Sequence, residues 1–229
     1  MSLAWNRWLD SIYWQCRELG MNSTREYFST ACHGFFSRPE PVVNESLTVL
    51  EKRIFRLLES FNVTFNIEDV RRIALDAVTA WHAEIRIDAD AEPVLNYLKE
   101  LKKKIALVSN FDHPFYLKRL LKENKIESYF DSIVISGEVG VKKPDPAIFN
   151  QALETTKLNP EEVVYVGDAD EDIAAARAAC MLPILIQRNG DKNILSDYLH
   201  DQSAGNGPIL KEGDDFIKIH RLNQLKEII

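Results

Sequence analysis

Apolar residues recur every three or four positions through the first third of the chain, then give way to short continuous runs. Trp5, Trp8, Leu9, Ile12, Cys16 and Leu19 share one helix face, and Gly20 stops that helix as a C-terminal glycine would. Ser23 followed by Glu26 has the form of a capping box and predicts a second helix through Phe35. Pro39 and Pro41 break the chain there. A third helix is predicted over about 46–61, with Val49, Leu50, Ile54, Leu57, Leu58 and Phe61 on its apolar side. A fourth follows Asn66 as N-cap and carries Val70, Ile73, Ala74, Ala77, Val78 and Trp81. Residues 1–86 thus read as an all-helical unit.

Beyond Ile87 the period changes. Runs rich in β-branched residues at 105–110, 132–136, 163–168, 182–187 and 216–219 alternate with helical stretches opening at Pro114, Pro146 and Asp170. Short strands apolar on both faces and separated by helices predict a parallel sheet covered on both sides. The fold class is therefore α/β, with residues 87–229 as a doubly wound core. Ligands bind beyond the carboxyl ends of such strands. Two runs end there in polar residues, Ser109-Asn110 and Gly167-Asp168. Residues 188–213 form one long polar connection, and Gly205-Asn206-Gly207-Pro208 predicts mobility within it.

Charge removes several function classes. The 229 residues hold 28 Lys and Arg against 35 Asp and Glu, a net charge of −7. No basic surplus is available to displace counterions from phosphates, so nucleic acid is not an expected partner. No run of apolar residues is long enough for a membrane span. Arg7 and Asp10 interrupt the apolar start, and no small-residue cleavage site follows. Cys16, Cys32 and Cys180 are odd in number, far apart and without CxxC spacing, which predicts reduced thiols. A cytoplasmic protein with no membrane partner is expected.

Three segments carry candidate chemistry. In the first, Asp168, Asp170, Glu171 and Asp172 crowd together after a hydrophobic strand. Neighbouring carboxylates repel, and a hard divalent cation such as Mg2+ is the natural compensation. A helix N-terminus also attracts acids, which accounts for Asp170 and Glu171 better than for Asp168. In the second, Lys143 is held extended by Pro144, and Asp145-Pro146 opens a helix. A lysine fixed in front of a sheet can neutralise a phosphoryl group, whereas Lys142 reads as solvated. In the third, Ser109 and Asn110 sit at a strand-to-helix junction, suited to an anion and equally to an ordinary capped turn. His113 reads as a surface or capping residue, and Lys102–Lys104 as cations at a helix C-terminus. No Ser-His-Asp set or glycine-rich phosphate loop is present.

In their order and spacing, the strand ending Ser109-Asn110, the Lys143–Pro146 turn and the strand ending in Asp168 with Asp172 resemble the haloacid dehalogenase-like (HAD) hydrolase superfamily. The closing DDFIKIHRLNQLKEII is similar to that family's last strand and helix, and residues 1–86 to its helical cap. The resemblance implies a Rossmann-like three-layer core with a parallel sheet, 87–229, and an N-terminal cap domain, 1–86. It implies chemistry through an aspartyl-phosphate on a small phosphorylated substrate. Ser109, Asn110 and Lys143 would bind the phosphoryl group, with Ser109, Lys143 and Asp168 catalytic. Asp168 and Asp172 would hold Mg2+. The paired acids favour a metal-dependent phosphatase over a dehalogenase. Trp5, Tyr13, His33 and Arg38 are the cap residues considered for substrate contact, though core positions explain most aromatics.

One departure stands out. The family's first motif, a central hydrophobic strand ending Asp-x-Asp that carries the nucleophile, has no match. Asp88-Ala-Asp90 follows the polar run EIRI and is rejected. The missing strand would lie between those ending at Asn110 and Asp168, leaving a gap of about 10 Å. Each buried backbone group left unpaired costs about 1–3 kcal/mol. The expectation is a natural chain that starts before Met1. The alternatives are direct pairing of the flanking strands, or a strand donated by another chain, as in a strand-exchanging dimer. The chain as given is expected to be inactive. A non-catalytic binding or regulatory module is the rival reading, and a dehalogenase a weaker one. Cys180 also stands where the family commonly has Gly.

Overall fold

The computed structural model describes residues 3–36, 38–83, 86–188 and 216–229. The predicted polar connection lies outside the described residues apart from Arg188. The described residues divide into two compact units, one up to Arg86 and one from Ile87 onward.

In the first unit, Gly20 adopts φ +94° and closes α1, Leu3–Glu18. Helix α2, Arg25–Ala31, is shorter than its sequence predicts and is capped by Thr24 in place of Ser23, with Tyr27 N donating to Thr24 Oγ1 at 3.2 Å. Two cap formers compete here. The Tyr13 hydroxyl holds the Ser23 carbonyl at 3.1 Å, outside the helix. At the far end, the Arg38 guanidinium takes the carbonyls of Ala31 and His33, which stops the helix before Phe35. Helix α3, Val49–Ser60, opens on a Thr48–Glu51 capping box, and α4, Ile67–His82, on an Asn66–Asp69 box. These boxes satisfy N–H groups that would otherwise lack partners.

The predicted apolar faces meet in the core of this unit. Trp5, Trp8, Leu9, Ile12, Cys16, Phe28, Ile54, Leu58 and Ile73 are buried, and the Trp5 and Trp8 rings stack at 4.8 Å. Trp5 and Tyr13, considered for substrate contact, are core residues. Arg38 caps α2, and His33 is exposed.

The second unit begins with α5, Ala91–Glu100, followed by β1, Ala106–Ser109, and α6, Pro114–Glu123. Strand β2, Ser132–Ile135, runs straight into a single turn, α7, Ser136–Val139. Pro146–Phe149 is a 3-10 turn leading into α8, Asn150–Thr156, so the helix predicted from Pro146 starts one turn later. Strand β3, Val164–Gly167, helix α9, Asp170–Ala178, and strands β4, Leu182–Ile186, and β5, Ile217–Ile219, complete the core. A 3-10 turn over Leu222–Glu227 stands where a final helix is expected.

Among the described residues all strand pairings are parallel and the sheet is divided in two. Strand β1 pairs with β2, and β3, β4 and β5 form a second part-sheet. Direct pairing of β1 with β3, one of the alternatives above, does not occur. Side chains stand at that junction, with Lys143 Nζ and the Tyr165 hydroxyl each 3.3 Å from Val108 O. Apolar clusters cover both faces, as the three-layer architecture requires. One contains Val134, Ile148, Phe149, Ala152, Ala175 and Ala176, with Val108 and Tyr165 against it. The other contains Val94, Ile184, Ile186, Ile219 and Leu225, with Val164 and Val166 against it. A fully buried isoleucine such as Ile184 contributes about 1.5–3 kcal/mol. Among the described residues no helix is long and apolar enough to cross a membrane.

Candidate active site

The carboxyl ends of β1 and β3 converge on Lys143. Asn110, the residue after β1, grips its backbone from both sides. Asn110 Nδ2 donates to Lys143 O at 3.1 Å, and Lys143 N donates to Asn110 Oδ1 at 2.9 Å. The Lys143–Pro144 peptide is cis. The turn after β1 is tied down by Phe111 N donating to Ser136 Oγ at 2.9 Å. His113 is buried at the N-cap position of α6, against the surface placement expected, and its side chain makes no capping bond.

The Lys143 ammonium is buried and has three donors to place. It lies 2.7 Å from Asp172 Oδ1, 3.0 Å from the Tyr165 hydroxyl and 3.3 Å from Val108 O. Asp172 is also buried and fully engaged. Its Oδ1 faces Lys143 and the Tyr165 hydroxyl, 3.2 Å away, and its Oδ2 accepts from Asp168 N at 3.0 Å and Ala169 N at 3.1 Å. A buried ion pair is tolerated only when its remaining hydrogen-bonding capacity is met in this way. Tyr165 stays a neutral phenol, because burial and the nearby Asp172 charge raise its pKa. The sequence reading missed Tyr165. Its signal is a residue with a polar tip at the centre of an otherwise apolar strand.

Asp168 reaches solvent, yet its carboxyl titrates above the ordinary range. Enclosure by protein is the larger cause and the Asp172 charge the next, with Lys143 and Arg188 pulling the other way. Ser109 is half-buried at the end of β1, and its hydroxyl has no protein partner among the described residues. The structure therefore brings Asn110, Lys143, Asp168 and Asp172 into one network, with Ser109 at the end of the neighbouring strand.

A metal tests this set. Among the described residues, no group of three or more His, Cys, Asp and Glu side chains is placed to share an ion. Asp172, expected as a ligand, has both oxygens occupied by protein donors. Asp168 fits a hard cation that keeps most of its waters, and crowding by Asp172 is the repulsion a cation would relieve. Asp88 is a structural acid: it accepts from Asp90 N at 2.9 Å and pairs with Arg188 at 2.7 Å. The backbone bond is the larger cause holding its pKa low.

Comparison with known proteins bears on the family and the fold. A family model described as haloacid dehalogenase-like hydrolase matches residues 13–179. Glyceraldehyde 3-phosphate phosphatase of Methanopyrus kandleri is 36% identical over 132 residues, covering 52% of this chain and 56% of that one. The protein of the same name from Methanothermobacter thermautotrophicus is 30% identical over 177 residues, covering 74% and 73%. The chain spans about half the length of most curated relatives it matches. In fold, it is similar to a crystal structure of a HAD phosphatase from Thermococcus onnurineus, with a TM-score of 0.65 at 20% identity over 99% of this chain and 89% of that one.

Proposed function

The chain belongs to the haloacid dehalogenase-like hydrolase family, and from that premise we propose that it serves a Mg2+-dependent phosphatase acting on a small phosphorylated metabolite. The observation that carries this reading is the buried Lys143–Asp172 pair at 2.7 Å, set behind Asp168 at the strand ends. A cation fixed there offsets the charge of a phosphoryl group. Phosphatase relatives support the same class of substrate.

Each residue then has a distinct task. The Ser109 hydroxyl and Lys143 bind phosphoryl oxygens, and Asn110 fixes the backbone that carries Lys143. Asp168 is the residue that would hold Mg2+, a hard cation suited to a carboxylate oxygen. Asp172 acts one step back: by accepting from Asp168 N and Ala169 N it sets the turn that presents Asp168. Bound there, Mg2+ would polarise the phosphoryl oxygens. The family's covalent chemistry also needs a carboxylate nucleophile, and the network above contains no carboxylate suited to it.

A second reading, a non-catalytic binding module, is favoured by one observation. All three donors of Lys143 are already engaged by Asp172, Tyr165 and Val108. Phosphate release separates the two readings. The chain is assayed with glyceraldehyde 3-phosphate, phosphoglycolate and p-nitrophenyl phosphate, with Mg2+ and with EDTA. Turnover that needs Mg2+ and falls at least a hundredfold in Asp168→Asn supports the phosphatase. No turnover by any form of the protein, including one extended at its N-terminus, would sink it.

A further inference from the structure

Ser109 and Ile135 are the last paired residues of β1 and β2, so Asn110 and Ser136 leave the ladder side by side. The loop after β1 is then held on the start of α7 through one residue. Phe111 N donates to Ser136 Oγ at 2.9 Å, and Phe111 O accepts from Gly137 N at 3.3 Å. The approach is so close that a Cβ at Gly137 would stand 2.8 Å from Phe111 O and 3.2 Å from Pro114 Cγ. Ser136 also holds the chain that follows it. Its carbonyl accepts from Gly140 N at 2.9 Å, closing α7 just before the turn that carries Lys143. The Ser136 hydroxyl serves the neighbouring loop and not its own helix, because among the described residues no side-chain bond caps α7.

We propose that Ser136 is a positioning residue for the phosphate-binding set: its hydroxyl aims the Asn110 side chain at the Lys143 backbone and thereby sets where the Lys143 ammonium points. The peptide joining Asn110 to Phe111 is planar, so fixing Phe111 N–H fixes one of the two soft dihedrals of Asn110. Pairing of β1 with β2 up to Ser109 constrains the other. The Asn110 carboxamide is then aimed at the turn, where it meets Lys143 O at 3.1 Å and Lys143 N at 2.9 Å. Ser136 is buried, so losing its hydroxyl leaves Phe111 N–H without this acceptor where water does not readily replace it. The loop must shift to find another partner, and Asn110 shifts with it.

What Lys143 is positioned to bind rests on the phosphatase reading. That it is positioned does not, and the first measurement needs neither phosphate nor turnover. Amide hydrogen exchange is followed in the 15N-labelled full chain and in Ser136→Ala and Ser136→Thr. In Ser136→Ala the amides of Phe111 and Lys143 are expected to exchange roughly tenfold faster relative to those of β4, which pairs on both edges. The Asn110 carboxamide resonances are expected to move toward those of a solvated amide. Ser136→Thr keeps the hydroxyl and is expected to restore all of these. The same proteins are then titrated with inorganic phosphate in Mg2+, where Ser136→Ala should bind roughly fivefold more weakly than the parent.

Exchange that rises equally at Phe111, Lys143 and β4 would show a loss of global stability alone and overturn the positioning role. Faster exchange at Phe111 with Lys143 and Asn110 unchanged would overturn the relay through Asn110. A threonine variant that behaves as the alanine one would overturn the part assigned to the hydroxyl. Measurable phosphate binding of equal affinity in the parent and Ser136→Ala would separate Ser136 from the phosphate-binding set. The expected local loosening, in a parent that binds no phosphate, would uphold the positioning of Lys143 and count against the phosphatase reading instead.

Discussion

Asp172 lies directly over Gly167: a Cβ at position 167 would stand 2.2 Å from the Asp172 Cβ and 2.4 Å from its Cγ. The glycine is required by this close approach and by nothing in its backbone angles. Gly167→Ala must push Asp172 off Lys143 or distort β3, costing about 1–3 kcal/mol as an overpacked site. Urea unfolding measures this. A variant as stable as the parent would show that Asp172 has room to move.

The Lys143–Asp172 pair makes a stability prediction that separates anchoring from metal binding. Asp172→Ala leaves a buried ammonium without its counter-charge, and removing one partner of such a pair costs about 3–5 kcal/mol. The loss should appear in Mg2+-free buffer with EDTA. The double variant Lys143→Met with Asp172→Ala removes the stranded charge and should regain part of the loss. If Asp172→Ala were destabilising only when Mg2+ is present, its role would be that of a ligand.

Asp131 should make the second unit acid-sensitive over a defined window. Its carboxylate accepts from Ile105 N at 2.9 Å and pairs with Lys99 and Lys104, each at 3.2 Å. The backbone bond is the largest cause of a pKa lowered to about 2, with the two lysines next. A depressed carboxyl pKa stabilises the fold fully above the unfolded value of about 4. That contribution drains away as pH falls toward 2. Asp131→Asn should cost on the order of 1–2 kcal/mol at pH 7, screening by solvent included, and flatten the pH dependence between about 4 and 2. An unchanged acid unfolding profile in Asp131→Asn would contradict this.

The thiols should separate by burial. Cys16 and Cys32 are buried, and their pKa values are pushed up to about 12, chiefly by desolvation. Cys180 is exposed. Thiolate is the reactive form, so a disulfide reagent at pH 8 should titrate one thiol rapidly in the native protein and three after denaturation. Rapid reaction of two or three native thiols would mean that the helical unit opens readily.

Elements were legible in the sequence where a single signal dominated. The β-branched runs at 105–110 and 163–168 became β1 and β3 within one or two residues. Asn66 capped α4 because no neighbour competed for the position. Ser23 and Thr24 are both good caps, and a tertiary contact from Tyr13 decided between them. Strand runs also say nothing about which edges pair, so the divided sheet was visible only as the lack of a suitable middle strand. In the site, the count of acids pointed to Asp168 and Asp172 alike. Which of them turns inward is set by the amides of Asp168 and Ala169, and a one-dimensional pattern does not contain that. Tyr165 was hidden because a tyrosine within a strand reads as core until its hydroxyl is placed.

Cys180 offers a test of strain that leaves the site alone. It adopts φ +61° after the last turn of α9, the left-handed region that favours glycine. An L side chain there costs about 1–2 kcal/mol. Replacing it with glycine recovers that strain but adds roughly 0.5–1 kcal/mol of unfolded-chain entropy. Because the side chain is exposed, little packing is lost with it. Cys180→Gly should therefore stabilise the protein by about 0.5–1 kcal/mol, and Cys180→Val, branched at Cβ, should destabilise it. Thermal unfolding of the two variants checks the sign, and a valine variant more stable than the glycine one would show that the backbone relaxes out of the left-handed region.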